Sequence, residues 1–346
     1  MKWIAVGLML VLGGWLGMVR AEDEPTAELW KRVSQAQKDG LPKTAITQLN
    51  KIYSLAVAGK RWSEALKALV WRTTAQAVAA DEPGEERIRR LTVEEPRVPA
   101  ALRPLVHGIL AHWYWDCFQE DRWRFARRTA TTAGDGGDFT TWDLRRLVAH
   151  VDELYRGLLG EQEVLAQIPL SEFAGFLDPG DQPAALRPTL FDFLAREAID
   201  FYVSAESDAV RPEEPFDIAA DSPALAPAAE FIRERLTSPD AEAPRYRALL
   251  AFQQLLRQHR DDPDPGAFLD HDLARLSFAR QAAVGEGASD RYLSRLQEIS
   301  DRCPAHPLAS TAWQYGAQEL HDAGRLAEAM AWAERGTSAH PESAGG

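Results

Sequence analysis

Residues 144–158, Leu-Arg-Arg-Leu-Val-Ala-His-Val-Asp-Glu-Leu-Tyr-Arg-Gly-Leu, decide the fold. Their apolar side chains, Leu144, Leu147, Val148, Val151, Leu154, Tyr155 and Leu158, recur at spacings of three and four. They therefore share one face of a helix, while the arginines and acids take the other. A half-exposed strand would alternate every second residue, and no stretch of this chain sustains that period. The segment reads as a long amphipathic helix, and its neighbours in the chain repeat the pattern.

Upstream, Leu102, Leu105, Val106, Ile109, Leu110, Trp113 and Cys117 fall at i, i+3, i+4, i+7, i+8, i+11 and i+15, so Cys117 lies on a buried stripe. An aromatic, arginine-dense helix end follows, then a small-residue loop from Ala130 to Asp138, with Trp123 and Trp142 expected to anchor either side. Thr140 and Asp143 resemble a capping box in which Asp replaces the usual Glu. Nearer the N-terminus, Ala45, Ile46, Leu49, Ile52, Tyr53 and Ala56 mark one helix face and Trp62, Leu66, Leu69, Val70 and Thr73 the next. The turn between them is assigned to Gly59-Lys-Arg, and such short connections imply antiparallel neighbours.

Beyond the opening stretch, Arg187-Pro-Thr-Leu-Phe-Asp-Phe-Leu starts another helix, with Pro188 in its first turn. Residues 205–227 are rich in acid and proline and read as a linker. The expected organisation is a signal peptide over 1–21, an N-terminal helical domain over 22–204, the linker, and a C-terminal helical segment over 228–346. Helices are expected in that last part at 228–236, 246–258, 268–284 and 290–299. The fold class is all-α, an irregular array of helical hairpins with α-solenoid character.

The C-terminal helices resemble a tetratricopeptide repeat. With Ser310 as position one, Trp313 stands at four, Leu320 at eleven, Gly324 at fifteen, Ala329 at twenty and Pro341 at thirty-two, with Gly336 where alanine is usual. Ala58-Gly59-Lys60 followed by Glu64-Ala65 echoes Ala323-Gly324-Arg325 followed by Glu328-Ala329, offset by one residue.

The formal net charge of −13 over 346 residues argues against a nucleic-acid surface or an anionic membrane face as partner, because both would repel the chain at long range. Lys2, the apolar run from Ile4 to Val19 and the small residue Ala21 have the layout of a secretory signal, with cleavage before Glu22. An uncleaved anchor is the alternative, although the run is shorter than the ~20 apolar residues of a bilayer span. The expectation is an exported chain, periplasmic or extracellular, with no membrane attachment after cleavage.

The residues that invite catalytic readings have structural ones. None of the eight histidines stands in a His-Glu-x-x-His pattern; His112 shares a face with Asp116, and no metal set is read. Cys117-Phe-Gln-Glu has glutamine and glutamate in the wrong order for a thioester, so a buried, inert thiol is expected. One bridge between Cys117 and Cys303 remains open to geometry. Arg122 and Arg124 interleave with Trp123 and Phe125, but Glu120 and Asp121 offer them partners within one turn. No catalytic residue, cofactor site or metal site is assigned, and the chain is read as not an enzyme.

Four phrases, in this order and spacing, resemble the N-terminal helical region of large bacterial alpha-2-macroglobulin-like proteins. They are Gly40-Leu-Pro-Lys-Thr-Ala with Lys51-Ile-Tyr, Arg122-Trp-Arg with Arg128-Thr, Asp138-Phe-Thr-Thr-Trp-Asp-Leu, and Arg187-Pro-Thr-Leu-Phe-Asp-Phe-Leu. The resemblance marks Trp123, Arg128, Trp142, Asp143, Arg187, Pro188 and Asp192 as a structural signature. It implies a non-catalytic helical module preceding macroglobulin domains in a family that traps proteases, with those domains or another protein or peptide as partner. The sequence shows none of the macroglobulin, bait and thioester elements that perform the trapping. The alternative is a stand-alone periplasmic tetratricopeptide-like scaffold for a protein or peptide.

Overall fold

The computed structural model describes residues 2–3, 26–81, 83–126, 138–174, 176–178, 183–204 and 216–343. Among the described residues the chain forms fifteen α-helices, and strand is confined to two-residue pairs, Lys2–Trp3 with Leu177–Asp178 and Ile218–Ala219 with Ala283–Val284. The all-α expectation holds. The apolar run within residues 4–25, Arg128, residues 130–137 of the glycine loop and residues 205–215 lie outside the described residues. No helix among the described residues is long and apolar enough to cross a membrane.

The chain divides into two compact units, one of residues 1–184 and 189–197, the other of residues 185–188 and 198–346. The first begins with α1 (Ala27–Lys38), α2 (Pro42–Ala58) and α3 (Trp62–Ala79), packed side by side. Val33 and Ala36 of α1, Ala45, Leu49 and Ile52 of α2, and Ala68 of α3 form their core, sheltered by Trp30, Tyr53 and Trp71. The α1 start is fixed to α3 by Glu64, whose carboxylate accepts hydrogen bonds from Thr26 Oγ1 and, at 2.8 Å, from Trp30 Nε1.

Both turns close in one way. After α1, Gly40 adopts φ 64° and the Leu41 N–H donates to the Ala36 carbonyl at 2.8 Å; after α2, Lys60 adopts φ 55° and the Arg61 N–H donates to the Ala56 carbonyl at 2.9 Å. The left-handed residue in this closure is usually glycine, because a Cβ is strained there. The turn falls within Gly59-Lys-Arg, as read from sequence, and its left-handed residue is Lys60.

Next come α4 (Pro83–Glu94), which packs on α3, then α5 (Arg103–Glu120), the single turn α6 (Arg122–Ala126), α7 (Leu144–Gly160) against α5, and the short α8 (Gln162–Leu165). α7 buries Leu147, Val148, Val151, Tyr155 and Leu158, the face read from sequence. The Thr140–Asp143 capping box is corrected. Thr140 lies in a 3₁₀ turn, and Asp143 is itself the N-cap, accepting from the Arg146 N–H at 2.8 Å. A reciprocal box does open α9 (Leu190–Val203): Asp192 accepts from the Thr189 N–H at 2.8 Å, and Thr189 Oγ1 accepts from the Asp192 N–H at 3.3 Å. Pro188 therefore precedes the cap and does not sit inside the first turn.

The second unit carries α10 (Ala228–Arg233), α11 (Pro244–His259), α12 (Gly266–Ala282), α13 (Ala288–Arg302), α14 (Leu308–Asp322) and α15 (Leu326–Ala339). Sequential helices pack together from α10 to α15, and α14 also touches α12. The described end of the expected linker is not a linker: Ile218 and Ala224 are fully buried. Its hold is Arg275 of α12, which donates to the Ala224 carbonyl at 2.7 Å, the Ala226 carbonyl at 3.1 Å and Asp272 at 2.6 Å, all beneath the surface. One rigid five-donor fork thus supplies hydrogen bonds that a proline-bearing segment cannot make for itself.

The α14–α15 hairpin closes like the turns of the first unit, with Gly324 at φ 74° and the Arg325 N–H donating to the Leu320 carbonyl at 2.9 Å. Inside it, the Trp332 ring lies on Gly316, where an added Cβ would come within 1.9 Å of the ring. Trp313 meets Trp332 edge to face at 4.8 Å, and Ser310 Oγ donates to the Gly336 carbonyl at 2.8 Å.

Candidate functional site

In the first unit, α5 and α7 gather the residues singled out from sequence. Trp142 is buried, stacked on Tyr114 at 5.8 Å, with His150 edge-on to both rings and the Arg146 guanidinium 4.7 Å from its centroid. It is an anchor, as expected. Trp123 is not: it is 78% exposed, and the buried ring of α6 belongs to Phe125. The short amphipathic turn leaves room for one aromatic inward, and Phe125 takes that place.

His112 lies between two carboxylates, with Nε2 3.2 Å from Asp116 and Nδ1 3.3 Å from Glu197 of α9. Burial alone would discharge the ring, but hydrogen bonds and charge from Asp116 and Glu197 outweigh it and hold the pKa up at about 9. With a carboxylate at each nitrogen, the imidazolium ties α5 to α9 and has no lone pair for a metal or a substrate proton. Spacing had shown Asp116; Glu197 is remote in sequence.

Cys117, which is buried, and Cys303 are both free thiols. Burial, reinforced by the charges of Glu85 and Glu120, pushes the Cys117 thiol up to about 11. A protonated thiol is neither a nucleophile nor a metal ligand at neutral pH. Arg124 pairs with Glu85 and Asp121, and Arg89 with Asp138 at 2.7 Å, so these guanidinium groups have carboxylate partners.

The second unit buries His259 and His271, 3% and 0% exposed, with ring centroids 5.4 Å apart and one nitrogen of each within 4.8 Å of the other. Asp262 lies 2.7 Å from His259 Nδ1, while Asp270 lies 3.9 Å from His271 Nδ1 and 3.8 Å from Arg187 Nε. Two imidazoles offer half of a tetrahedral metal shell. The sequence reading passed over this pair, because the two residues stand on α11 and α12 and only the fold joins them. Arg187, marked as signature, finds its role here beside Asp270.

The second unit also carries an open groove of about 470 Å3 along α14 and α15, lined by Gln314, Ala317, Gln318, His321, Leu326, Ala329, Met330, Ala333 and Thr337. Leu326 and Met330 are 61% and 66% exposed. No Asp, Glu, Lys or Arg lines it, although 26% of the chain is charged. Two helical walls with apolar rims suit the side chains of another helix better than an enclosed small molecule.

No protein-family model matches the chain, and no curated protein matches it.

Proposed function

We propose that the chain is a non-catalytic helical interaction module of an exported alpha-2-macroglobulin-like protein. The observation that carries the interaction reading is the solvent-facing groove on α14 and α15, which no Asp, Glu, Lys or Arg lines. The family reading rests on the four ordered phrases, and it draws support from what their residues do. Trp142 anchors the α5–α7 pair, Asp143 caps α7, and Asp192 caps α9. Its partners are the macroglobulin domains of the same assembly or another protein or peptide, and its place is outside the cytoplasm. The DNA following the Gly346 codon tests the family reading. A continuous frame encoding macroglobulin β-sandwiches is expected, and a neighbourhood without one overturns it.

A second reading, a stand-alone periplasmic tetratricopeptide-like scaffold, is favoured by the α14–α15 hairpin, where Trp313, Gly324 and Ala329 stand in the repeat's positions. Its test is whether a partner captured from envelope extract is lost with Met330→Glu.

A further inference from the structure

One lysine of the first unit is turned inward. Lys31, Lys38, Lys43, Lys51 and Lys60 are exposed, whereas Lys67 of α3 is half-buried. Its Nζ lies over two indole rings, 5.1 Å from the centroid of Trp30 on α1 and 5.2 Å from that of Trp71 on α3, and the rings meet edge to face at 5.6 Å. The cation and the two rings thus form a nearly equilateral corner. Beside it stands Glu64, whose carboxylate is set by Thr26 Oγ1, by Trp30 Nε1 at 2.8 Å and by Arg61 Nε at 2.8 Å. Burial opposes that charge, but the three hydrogen bonds outweigh it and hold the Glu64 carboxyl below the usual carboxylate range.

We propose that this corner binds a small quaternary ammonium compound of the choline type, for which the Lys67 ammonium is a tethered stand-in. The width of the corner favours a methylated nitrogen. An ammonium seated on a ring face would stand about 3.5–4.0 Å from it, and Lys67 Nζ lies well outside that contact on both rings. A quaternary nitrogen carries its methyl carbons about 1.5 Å out, so with those carbons in contact it stands about 5 Å from the ring. Its lack of donors favours it as well. The Lys67 ammonium donates to no carboxylate, carbonyl or hydroxyl among the described residues, and burial pushes the Lys67 pKa down against the attraction of Glu64. A quaternary nitrogen has no N–H to satisfy, and its methyl groups pack on the indoles while the ring faces and Glu64 stabilise its charge. Lys67 can yield the corner, because it hangs on a flexible four-carbon stem and regains hydration outside. The site lies within the first unit and depends neither on the groove along α14 and α15 nor on the family resemblance.

Isothermal titration calorimetry of the purified chain with choline, beside ethanolamine and the uncharged carbon isostere of choline, is the test. Choline should bind with a dissociation constant on the order of 1 mM, the scale of two partly desolvated cation–π contacts. The isostere, which lacks the charge, and ethanolamine, which lacks the methyl groups, should each bind at least about tenfold more weakly. Lys67→Ala removes the tethered competitor and should tighten choline about tenfold. Trp71→Leu should abolish binding, whereas Trp71→Phe, which keeps a ring face, should weaken it only a few-fold. Circular dichroism and melting accompany each variant, and Lys67→Ala, at a half-buried position, keeps the test decisive if Trp71→Leu does not fold. Absence of choline binding by wild type and Lys67→Ala up to about 50 mM, equal binding of the isostere, affinity unmoved by Lys67→Ala, or full binding by a folded Trp71→Leu would each overturn the proposal.

Discussion

In the α2–α3 hairpin Arg61 donates to Glu64 at 2.8 Å and its N–H closes on Ala56 at 2.9 Å; in the α14–α15 hairpin Arg325 donates to Glu328 at 2.8 Å and its N–H closes on Leu320 at 2.9 Å. The turn, the clamp and the small residue after it, Ala65 or Ala329, are shared. The two differ in what lies outside. α3 buries eight of its residues and α15 two. Local sequence builds the hairpin, whereas the outer positions record whether another helix covers it.

The largest predicted effect tests that difference directly. Leu66→Ala should cost about 2–5 kcal/mol, because it empties a filled site. Met330→Ala at the matching position should change stability by less than about 0.5 kcal/mol. Urea denaturation followed by tryptophan fluorescence measures both, and equal costs would break the comparison.

Inside the hairpins the fillings are opposite. Ile52 of α2 is fully buried, while the matching residue of α14 is Gly316, whose missing Cβ admits the Trp332 ring. Gly316→Ala should therefore destabilise by about 1–3 kcal/mol through overpacking. Trp332→Leu should recover part of that loss in the double variant, and additive costs would show that the two residues do not share the space.

Charge separates the two regions as well. The pairs His112–Glu197 and Arg72–Glu94 join distant parts of the first unit, whereas Arg325–Glu328 is local to one helix end. His112 titrates at about 9 when folded against an ordinary 6.5. Its contribution, on the order of 2 kcal/mol, is therefore complete below pH 6.5 and is lost as pH rises to about 9. Unfolding free energy of the first unit should fall over that window in wild type and not in His112→Gln. An identical slope in the variant would assign the dependence elsewhere.

Periodic features were legible in the sequence because they are local. The α7 face follows from seven residues at spacings of three and four, and the α14–α15 turn from Gly324. What escaped depends on contacts between remote segments. The composition of residues 216–227 reads as unpacked until Arg275 is seen to bind their carbonyls, and Glu197 reaches His112 only in the fold. Trp123 misled for a different reason: hydrophobicity marks what favours burial, and a five-residue helix has one inward face for two aromatic rings.

The smallest effect concerns the one-residue offset between the two hairpins. Lys60 stands where Gly324 stands, and both have positive φ. A non-glycine residue in that region carries about 1 kcal/mol of strain, but glycine gives the unfolded chain extra freedom, worth about 0.4–1 kcal/mol. The two terms oppose each other at both positions. Lys60→Gly should stabilise by only about 0.5 kcal/mol, because relief of strain exceeds the added entropy by a small margin. Gly324→Lys should destabilise by a similar amount if the turns are equivalent, and by more if the open hairpin, which buries less, yields at its turn first. Paired urea midpoints decide between these. A destabilising Lys60→Gly would mean that the exposed Lys60 side chain contributes more than its backbone costs, and the two turns would then be alike in geometry but not in energy.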